Sequence, residues 1–325
     1  MTISRNYHIM YTKYAVHNIM NQKLETILID SSNLLHRTVW IAENVRTNVN
    51  PSYIFLTSVR KYVQKFNCTN VYSVWDKRLI RGIKNYRRVN KQAEYKGTRD
   101  EEKNARVFSH EDLTTQLLEC LGVKNMYPGI LEADDVISWM VKETPGNKMV
   151  VSVDQDMLQL IDEKTSVYSP IKDIIITNEN FDDVVGVPRD EFLRYKSLMG
   201  DKSDNLPGVT KCGPKTAAKW VREYRTDEDL LNALGTERLK PYFNNLKMID
   251  LTEGHRQHPD DVKLYQEQYE KINQFQPDWG KFEHMCEKLN MKQITSKIHE
   301  WRDTFAPTDI VSKLQSIVKT LELDK

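Results

Sequence analysis

Three short apolar runs in this chain each end in an aspartate: Thr26-Ile-Leu-Ile-Asp30, Val71-Tyr-Ser-Val-Trp-Asp76 and Lys148-Met-Val-Val-Ser-Val-Asp154. Each has the length and apolar continuity of a buried strand, and helical patterns separate them. Strands alternating with helices form a mostly parallel sheet, which lines successive carboxyl ends along one edge. Open α/β sheets bind ligands at that edge. Asp30, Asp76 and Asp154 are therefore expected to converge although far apart in sequence. Asp156 follows closely and opens the next helix.

Two further acidic groups fall where the same edge would collect them. Glu132-Ala-Asp134-Asp135 precedes the amphipathic stretch Val-Ile-Ser-Trp-Met-Val, and Gly200-Asp201-Lys-Ser-Asp204-Asn follows a helix expected from about Pro188 to Met199. Singly, each acid is explained as a helix cap, a dipole partner or a turn former. Jointly they make nine carboxylates at one edge, which would repel one another by several kcal/mol without cations. Oxygen-only donors with no nearby His or Cys set favour Mg²⁺ or Mn²⁺ over zinc. Nine carboxylates exceed one Mg²⁺ shell, so the pattern points to two ions about 3.5–4 Å apart and to phosphodiester chemistry.

The overall charge balance conceals this segregation. The chain has 325 residues, enough for roughly two domains, and 47 Lys and Arg against 46 Asp and Glu give a net charge of +1. Yet Lys77 to Arg99 holds nine basic residues and one acid, Glu94. Lys77, Arg81, Lys84, Arg88 and Lys91 recur at steps of four and three, which places them on one face if the segment is helical. Like charges at that spacing repel, and a polyanion along the face would offset the repulsion. Tyr86 and Tyr95 are interleaved and could stack on bases. The four cysteines (Cys68, Cys120, Cys212, Cys286) form no C-x-x-C pair, so neither a disulfide framework nor a cysteine zinc site is indicated. No stretch approaches the ~18 apolar residues of a membrane span. Met1 to Lys23 is polar and lacks the apolar core of a signal peptide.

After Asp204 the chain reads Asn-Leu-Pro-Gly208-Val-Thr-Lys211-Cys-Gly213-Pro-Lys215-Thr-Ala-Ala-Lys219. A helix ends, a glycine-bounded turn follows, and Pro214 opens a second helix. Glycines allow close backbone approach, and the N–H groups of the second helix can hold a phosphate. With Lys211, Lys215 and Lys219 this module would grip a nucleic-acid backbone without reading sequence.

These motifs together resemble the 5'-nuclease superfamily: flap endonucleases, the 5'-nuclease domain of bacterial DNA polymerase I, and phage 5'-3' exonucleases including phage RNase H enzymes. The resemblance rests on Leu28-Ile-Asp30, Val74-Trp-Asp76, Glu94-Tyr-Lys96-Gly-Thr-Arg99, Glu132-Ala-Asp-Asp135, Ser152-Val-Asp154-Gln-Asp156 and Leu198-Met-Gly-Asp201-Lys-Ser-Asp204-Asn-Leu-Pro-Gly, in the family's order over residues 25–225. It implies an α/β fold with a mostly parallel sheet flanked by helices, a PIN-like core over 25–200, a helical arch at about 77–105, and a helix–hairpin–helix module with a helical C-terminal region over 201–325. Residues 1–24 form an N-terminal extension. It further implies that Asp30, Asp76, Glu132 and Asp134 serve a first Mg²⁺ and Asp154, Asp156, Asp201 and Asp204 a second, with Asp135 shared or behind them and Mn²⁺ as a substitute. Lys96 matches the family's catalytic lysine at the base of the arch, with Arg99 assisting. Gly208, Lys211, Gly213, Lys215 and Lys219 match the duplex-gripping hairpin, where relatives hold a monovalent cation such as K⁺. Lys211 stands where many relatives carry glycine.

The implied activity is a 5'-3' exonuclease or flap endonuclease acting on branched or 5'-ended duplex DNA, or on the RNA primer of an RNA–DNA hybrid. The implied setting is cytoplasmic, in a phage-infected bacterial cell, as a monomer beside a polymerase and a single-strand-binding protein, with no membrane. No clamp-binding motif stands out. Two alternatives stay open at this level: a non-catalytic structure-specific DNA-binding protein, and a single-strand RNase of the PIN type. The last stretch carries apolar residues at 310, 311, 314, 317, 318 and 321, a helical pattern read as core packing.

Overall fold

The structure is a computed structural model that describes residues 23–45, 48–80, 101–273 and 276–306. Six strands form one sheet: β1 (Leu24–Asp30), β2 (Val71–Val74), β3 (Lys124–Met126), β4 (Asn147–Val151), β5 (Thr165–Ser169) and β6 (Ile174–Ile176). Their spatial order is β3-β2-β1-β4-β5-β6. All neighbouring pairs are parallel except β5 with β6. β1 is central and its Ile27, Leu28 and Ile29 are fully buried, as a parallel strand covered on both faces must be. The order runs outward from β1 on one side and from β4 on the other. The topological switch point, where such sheets place their ligands, therefore lies between the carboxyl ends of β1 and β4.

The helices in chain order are α1 (Ser31–Asn44), α2 (Pro51–Phe66), α3 (Glu101–Phe108), α4 (Glu111–Cys120), α5 (Ala133–Glu143), α6 (Phe181–Val185), α7 (Phe192–Met199), α8 (Pro214–Glu223), α9 (Asp227–Leu234), α10 (Thr236–Ile249), α11 (Glu253–Gln257), α12 (Pro259–Ile272), α13 (Trp279–Lys288), α14 (Lys292–Thr295) and α15 (Ile298–Phe305). One sheet face packs on α2 and α4 and on the last three helices, through Phe55, Val59, Leu117, Phe282, Ile294 and Trp301. The opposite face packs on α5 and on α7 to α12, through Val136, Met140, Leu198, Val221, Tyr242 and Tyr265. Both cores thus include residues from the C-terminal third of the chain.

Local chemistry sets the helix starts. Asn50 caps α2 through Ser52 N, with Pro51 in the first turn, and Asn67 closes that helix at φ 47°. Asp30 caps α1 by accepting from Asn33 N. Glu132 and Asp135 form a reciprocal capping box on α5. Asp154 caps a 3₁₀ turn over Gln155–Leu160 by accepting from Asp156 N. Asp30, Glu132 with Asp135, and Asp154, singled out in the sequence as candidate ligands, therefore also start helices. Among the described residues, no helix is long and apolar enough to cross a membrane.

Candidate functional site

The carboxyl edge of the sheet gathers the acids into one connected chain of contacts. At its centre, Ser152, just past β4, donates to Asp30 Oδ2 at 2.7 Å across the switch point. The same Ser152 oxygen accepts from Asp154 N at 3.0 Å. Asp154 in turn accepts from Asp156 N at 2.8 Å. One serine thus joins the ends of β1 and β4 and fixes the turn that carries Asp154 and Asp156.

On the β2 side, Asp76 lies two residues past the strand. Its backbone N–H donates to Ser32 Oγ at 2.8 Å, and its Oδ1 accepts from Ala133 N at 3.0 Å. This puts Asp76 against the first turn of α5, where Glu132, Asp134 and Asp135 sit. Glu132 N donates to Asp135 Oδ2 at 3.0 Å. Asp135 and Glu132 are buried, whereas Asp134 is partly exposed.

On the β4 side, Lys196 of α7 completes the chain. This buried lysine pairs with Asp156 and, at 3.1 Å, with Asp201 Oδ2. Asp201 Oδ1 accepts from Ser203 N at 2.7 Å, from the Ser203 hydroxyl at 2.5 Å and from Asp204 N at 3.4 Å. Asp30, Asp76, Glu132, Asp135, Asp154, Asp156 and Asp201 are thus tied into contacts along this edge, and Asp134 and Asp204 are their neighbours in the chain. They do not close on one another as bare ligands: among the described residues, no three His, Cys, Asp or Glu side chains form a metal-ligand group. Backbone N–H groups, hydroxyls and Lys196 take up their oxygens instead.

The electrostatics differ along the edge. Burial drives the Asp30 carboxyl up to about 7; Ser152 pulls it back, and the charges of Asp76 and Asp154 push it further. Glu111, at the start of α4, is also pushed to about 7 by burial, against the pull of Lys77 and with Asp112 and Asp76 adding repulsion. Burial carries Asp156 up to about 6 despite Lys196. Burial also opposes the charge on Lys196, but Asp156, Asp154 and Asp201 outweigh it and raise the lysine pKa. Burial works against ionised Asp201, yet Ser203 and Lys196 hold its carboxyl below the usual range. Buried oxygen donors whose neighbours add repulsion fit a divalent cation, which would favour their charged forms.

Next to this edge stands the turn between α7 and α8. Asp201 and Leu206 form an isolated antiparallel bridge. The loop folds back so tightly that a Cβ on Gly208 would fall 2.1 Å from the Met199 carbonyl oxygen. Lys211 holds left-handed backbone at φ 58°, a conformation that glycine adopts without steric cost. Gly213 precedes α8, Pro214 opens it, and no side chain caps its first turn. Lys211, Lys215 and Lys219 are exposed around these N–H groups. Lys219 also approaches Glu223 at 3.8 Å, a surface pair of little energetic weight. Free N–H groups at a helix start, with cations around them, are chemically suited to an anion.

Lys77 is exposed beside Asp76 and pairs with Asp112. Arg81, Lys84, Arg88, Lys91, Lys96 and Arg99, with Tyr86 and Tyr95, lie outside the described residues, as does the helical pattern at 310–321. Sequence reasoning missed Ser152 and Lys196 as members of the edge. Lys196 left one signal: a lysine on the core-facing side of a helix that ends one residue before Gly200-Asp201.

Comparison with known proteins bears on the family and the fold. A family model described as 5'-3' exonuclease, N-terminal resolvase-like domain, matches residues 25–186, and one described as 5'-3' exonuclease, C-terminal SAM fold, matches residues 187–273. The 5'-3' exonuclease of Halalkalibacterium halodurans is 32% identical over 235 residues, covering 67% of this chain and 75% of that protein. DNA polymerase I of Lactococcus lactis is 29% identical over 245 residues, 70% of this chain but 27% of the polymerase. Among solved structures, the D15 flap endonuclease of bacteriophage T5, crystallised with DNA and metal ions, shares the fold with a TM-score of 0.63 at 19% identity, covering 77% of this chain and 100% of that one. Two family models in sequence order over residues 25–273, and a relative of this identity and extent, place the chain in the 5'-3' exonuclease family.

Proposed function

We propose that this 5' nuclease, a phosphodiester hydrolase by its family, cuts branched or 5'-ended duplex DNA with the help of two divalent cations held on its acidic edge. Asp30, Asp76, Glu132 and Asp134 would hold one cation, and Asp154, Asp156, Asp201 and Asp204 the other, with Asp135 supporting Glu132 from behind. The all-oxygen donor set suits Mg²⁺, with Mn²⁺ as a substitute. A divalent cation bound there supplies Lewis-acid charge at a scissile phosphate and a more acidic water. The observation that carries this reading is the Ser152 bridge at the switch point, which ties Asp30 to the turn bearing Asp154 and Asp156.

The chain's own residues divide the remaining work. Ser152 orients the Asp30 carboxylate. Lys196 spaces Asp156 from Asp201 and balances their charge. The α8 N-terminus with Lys211, Lys215 and Lys219 holds duplex backbone, and the turn at Gly208 to Gly213 is where K⁺ would sit. Lys96 and Arg99 would add positive charge where negative charge builds on the phosphate. Lys77 begins the basic stretch through Arg81, Lys84, Arg88 and Lys91 that would meet a single 5' strand. An RNA–DNA hybrid is a second substrate of the same chemistry, in replication beside a single-strand-binding protein and clamp.

The test is product mapping. An end-labelled 5'-flap duplex, an RNA–DNA hybrid and a single-stranded RNA are each incubated with the protein and Mg²⁺. Cleavage near the flap junction, leaving 5'-phosphate and 3'-hydroxyl ends, is expected. Cleavage of the single-stranded RNA alone, or binding without cleavage in both Mg²⁺ and Mn²⁺, would contradict the proposal.

A further inference from the structure

The segment just before Glu132 is held on both edges by groups that no catalytic role explains. On one edge stands α12. Asp261, in its first turn and buried, accepts from three successive backbone N–H groups: Gly129 at 3.1 Å, Ile130 at 3.0 Å and Leu131 at 3.0 Å. The Tyr265 hydroxyl, one turn on, donates to the same carboxylate at 2.9 Å. Further along α12, Gln268 holds Tyr127 in both directions: it accepts from Tyr127 N at 3.0 Å and donates to Tyr127 O at 2.8 Å. From α11, His255 Nε2 meets the Asp135 carbonyl at 2.7 Å.

The other edge of the segment meets the chain after Asp76. Leu79 N donates to Pro128 O at 2.9 Å, Ile80 N to Gly129 O at 3.3 Å, and Arg78 Nε to Leu131 O at 3.2 Å. Residues 127–131 are thus a strap. One edge belongs to α12, the other to the foot of the basic stretch, and the next residue is Glu132.

We infer that Asp261 is a positioning residue for the nuclease reaction: by gathering the N–H groups of 129–131 it fixes Glu132 and Asp134 in place and locks the foot of the basic stretch to them. A carboxylate with three backbone donors and a hydroxyl is charge-assisted on every oxygen it offers. Its contribution is geometric, because it lies some 130 residues from the segment it holds and acts on the backbone before Glu132 rather than on the acids themselves. An amide replaces it only in part: even with its oxygen in the Oδ2 position, Asp261→Asn would lose the negative charge and turn an NH₂ group toward the Ile130 N–H. The fit also explains Gly129, where a Cβ would fall 2.1 Å from Asp261 Oδ1. The inference rests on the assignment of Glu132 and Asp134 to metal binding.

The test uses the full chain with Asp261→Asn, and Gly129→Ala as an independent way to displace the same clamp. Three quantities are read: amide hydrogen exchange at residues 129–131, Mg²⁺ affinity by calorimetry without DNA, and kcat and KM on a 5'-flap duplex. Both variants are expected to melt cooperatively, to lose protection at 129–131, and to bind Mg²⁺ about 10–100-fold more weakly, with kcat falling in step and KM for DNA little changed. Lost protection with wild-type Mg²⁺ affinity and kcat would overturn the positioning role, as would unchanged protection. Should Asp261→Asn fail to fold, Gln268→Ala, which frees only Tyr127, is expected to give the same pattern in milder form. Asp154→Ala is run alongside. If it cleaves at the wild-type rate, the metal assignment itself fails and the positioning role falls with it; if it is inactive while the Asp261→Asn protein is normal, only the positioning role falls.

Discussion

The two halves of the acidic edge solve the same electrostatic problem differently. Around Asp30, neutral donors hold the carboxylate, and burial, with the charges of Asp76 and Asp154 adding to it, raises the carboxyl to about 7; burial likewise raises Glu111, which feels the charge of Asp76, to about 7. Around Asp156 and Asp201, a buried lysine supplies the counter-charge: burial still raises Asp156 to about 6, but Asp201 stays below the usual carboxylate range. A divalent cation bound in the first half would compete with a proton on Asp30, and one bound in the second with the Lys196 ammonium. The contrast teaches that the two halves are stabilised by separate devices, which can be removed one at a time.

Removing the lysine is expected to have the largest effect. Lys196→Met leaves Asp156 and Asp201 buried without their counter-charge, a loss of roughly 3–5 kcal/mol for such pairs. Melting in chelator should drop sharply, and Mg²⁺ should raise the melting temperature of this variant more than that of the wild type. A wild-type melt in chelator would remove the distinction between the halves.

Changing Asp30 should act in the opposite direction. A carboxyl whose folded pKa is raised contributes stability that is full below its unfolded value and is lost as pH rises through the folded value. For Asp30 that loss falls between about pH 4 and pH 7. In chelator, the wild type should therefore melt lower at pH 8 than at pH 6. Asp30→Asn should flatten this dependence and stabilise the protein in chelator at pH 8 by ~2 kcal/mol while abolishing cleavage. Asp201, with its carboxyl lowered, has the reverse sign: its contribution is present above the ordinary carboxylate range and is lost on acidification through its folded value. An Asp201→Asn protein that gained stability at pH 8 in the same way would erase the comparison.

The smallest effect belongs to the neighbouring hairpin. Lys211→Gly relieves a left-handed lysine at φ 58° and should stabilise the fold by about 1 kcal/mol. It also removes one charge facing the backbone. The slope of log affinity for duplex DNA against log salt should become shallower by about 1. An unchanged slope would place Lys211 away from the duplex.

Much of this edge was legible in the sequence because strand ends are local. An apolar run followed by an acid marks the strand and puts the acid at its end, as Asp30, or two or three residues past it, as Asp76 and Asp154. The same locality explains why reading these acids as caps and reading them as a site are both correct. A parallel strand ends where a helix begins, so Asp30, Glu132 and Asp154 cap and converge at once. The residues that escaped notice are those whose partners are remote. Ser152 meets Asp30 across 122 positions, Lys196 meets Asp156 across 40, and Asp261 meets Leu131 across 130. No periodicity encodes such pairings. β3 and β6, three residues each, are likewise too short to carry a pattern. The last helices pack on α2 through Trp301 and Arg60, a ring and a guanidinium 5.0 Å apart that composition could not pair.

The central claim is that the acids gathered at the β1–β4 switch point carry out the cleavage. Single-turnover cutting of an end-labelled 5'-flap duplex by Asp154→Ala at saturating Mg²⁺ tests it most directly, with DNA binding measured in parallel. The rate is predicted to fall by ~100-fold or more with duplex binding retained; cleavage at the wild-type rate would contradict the account.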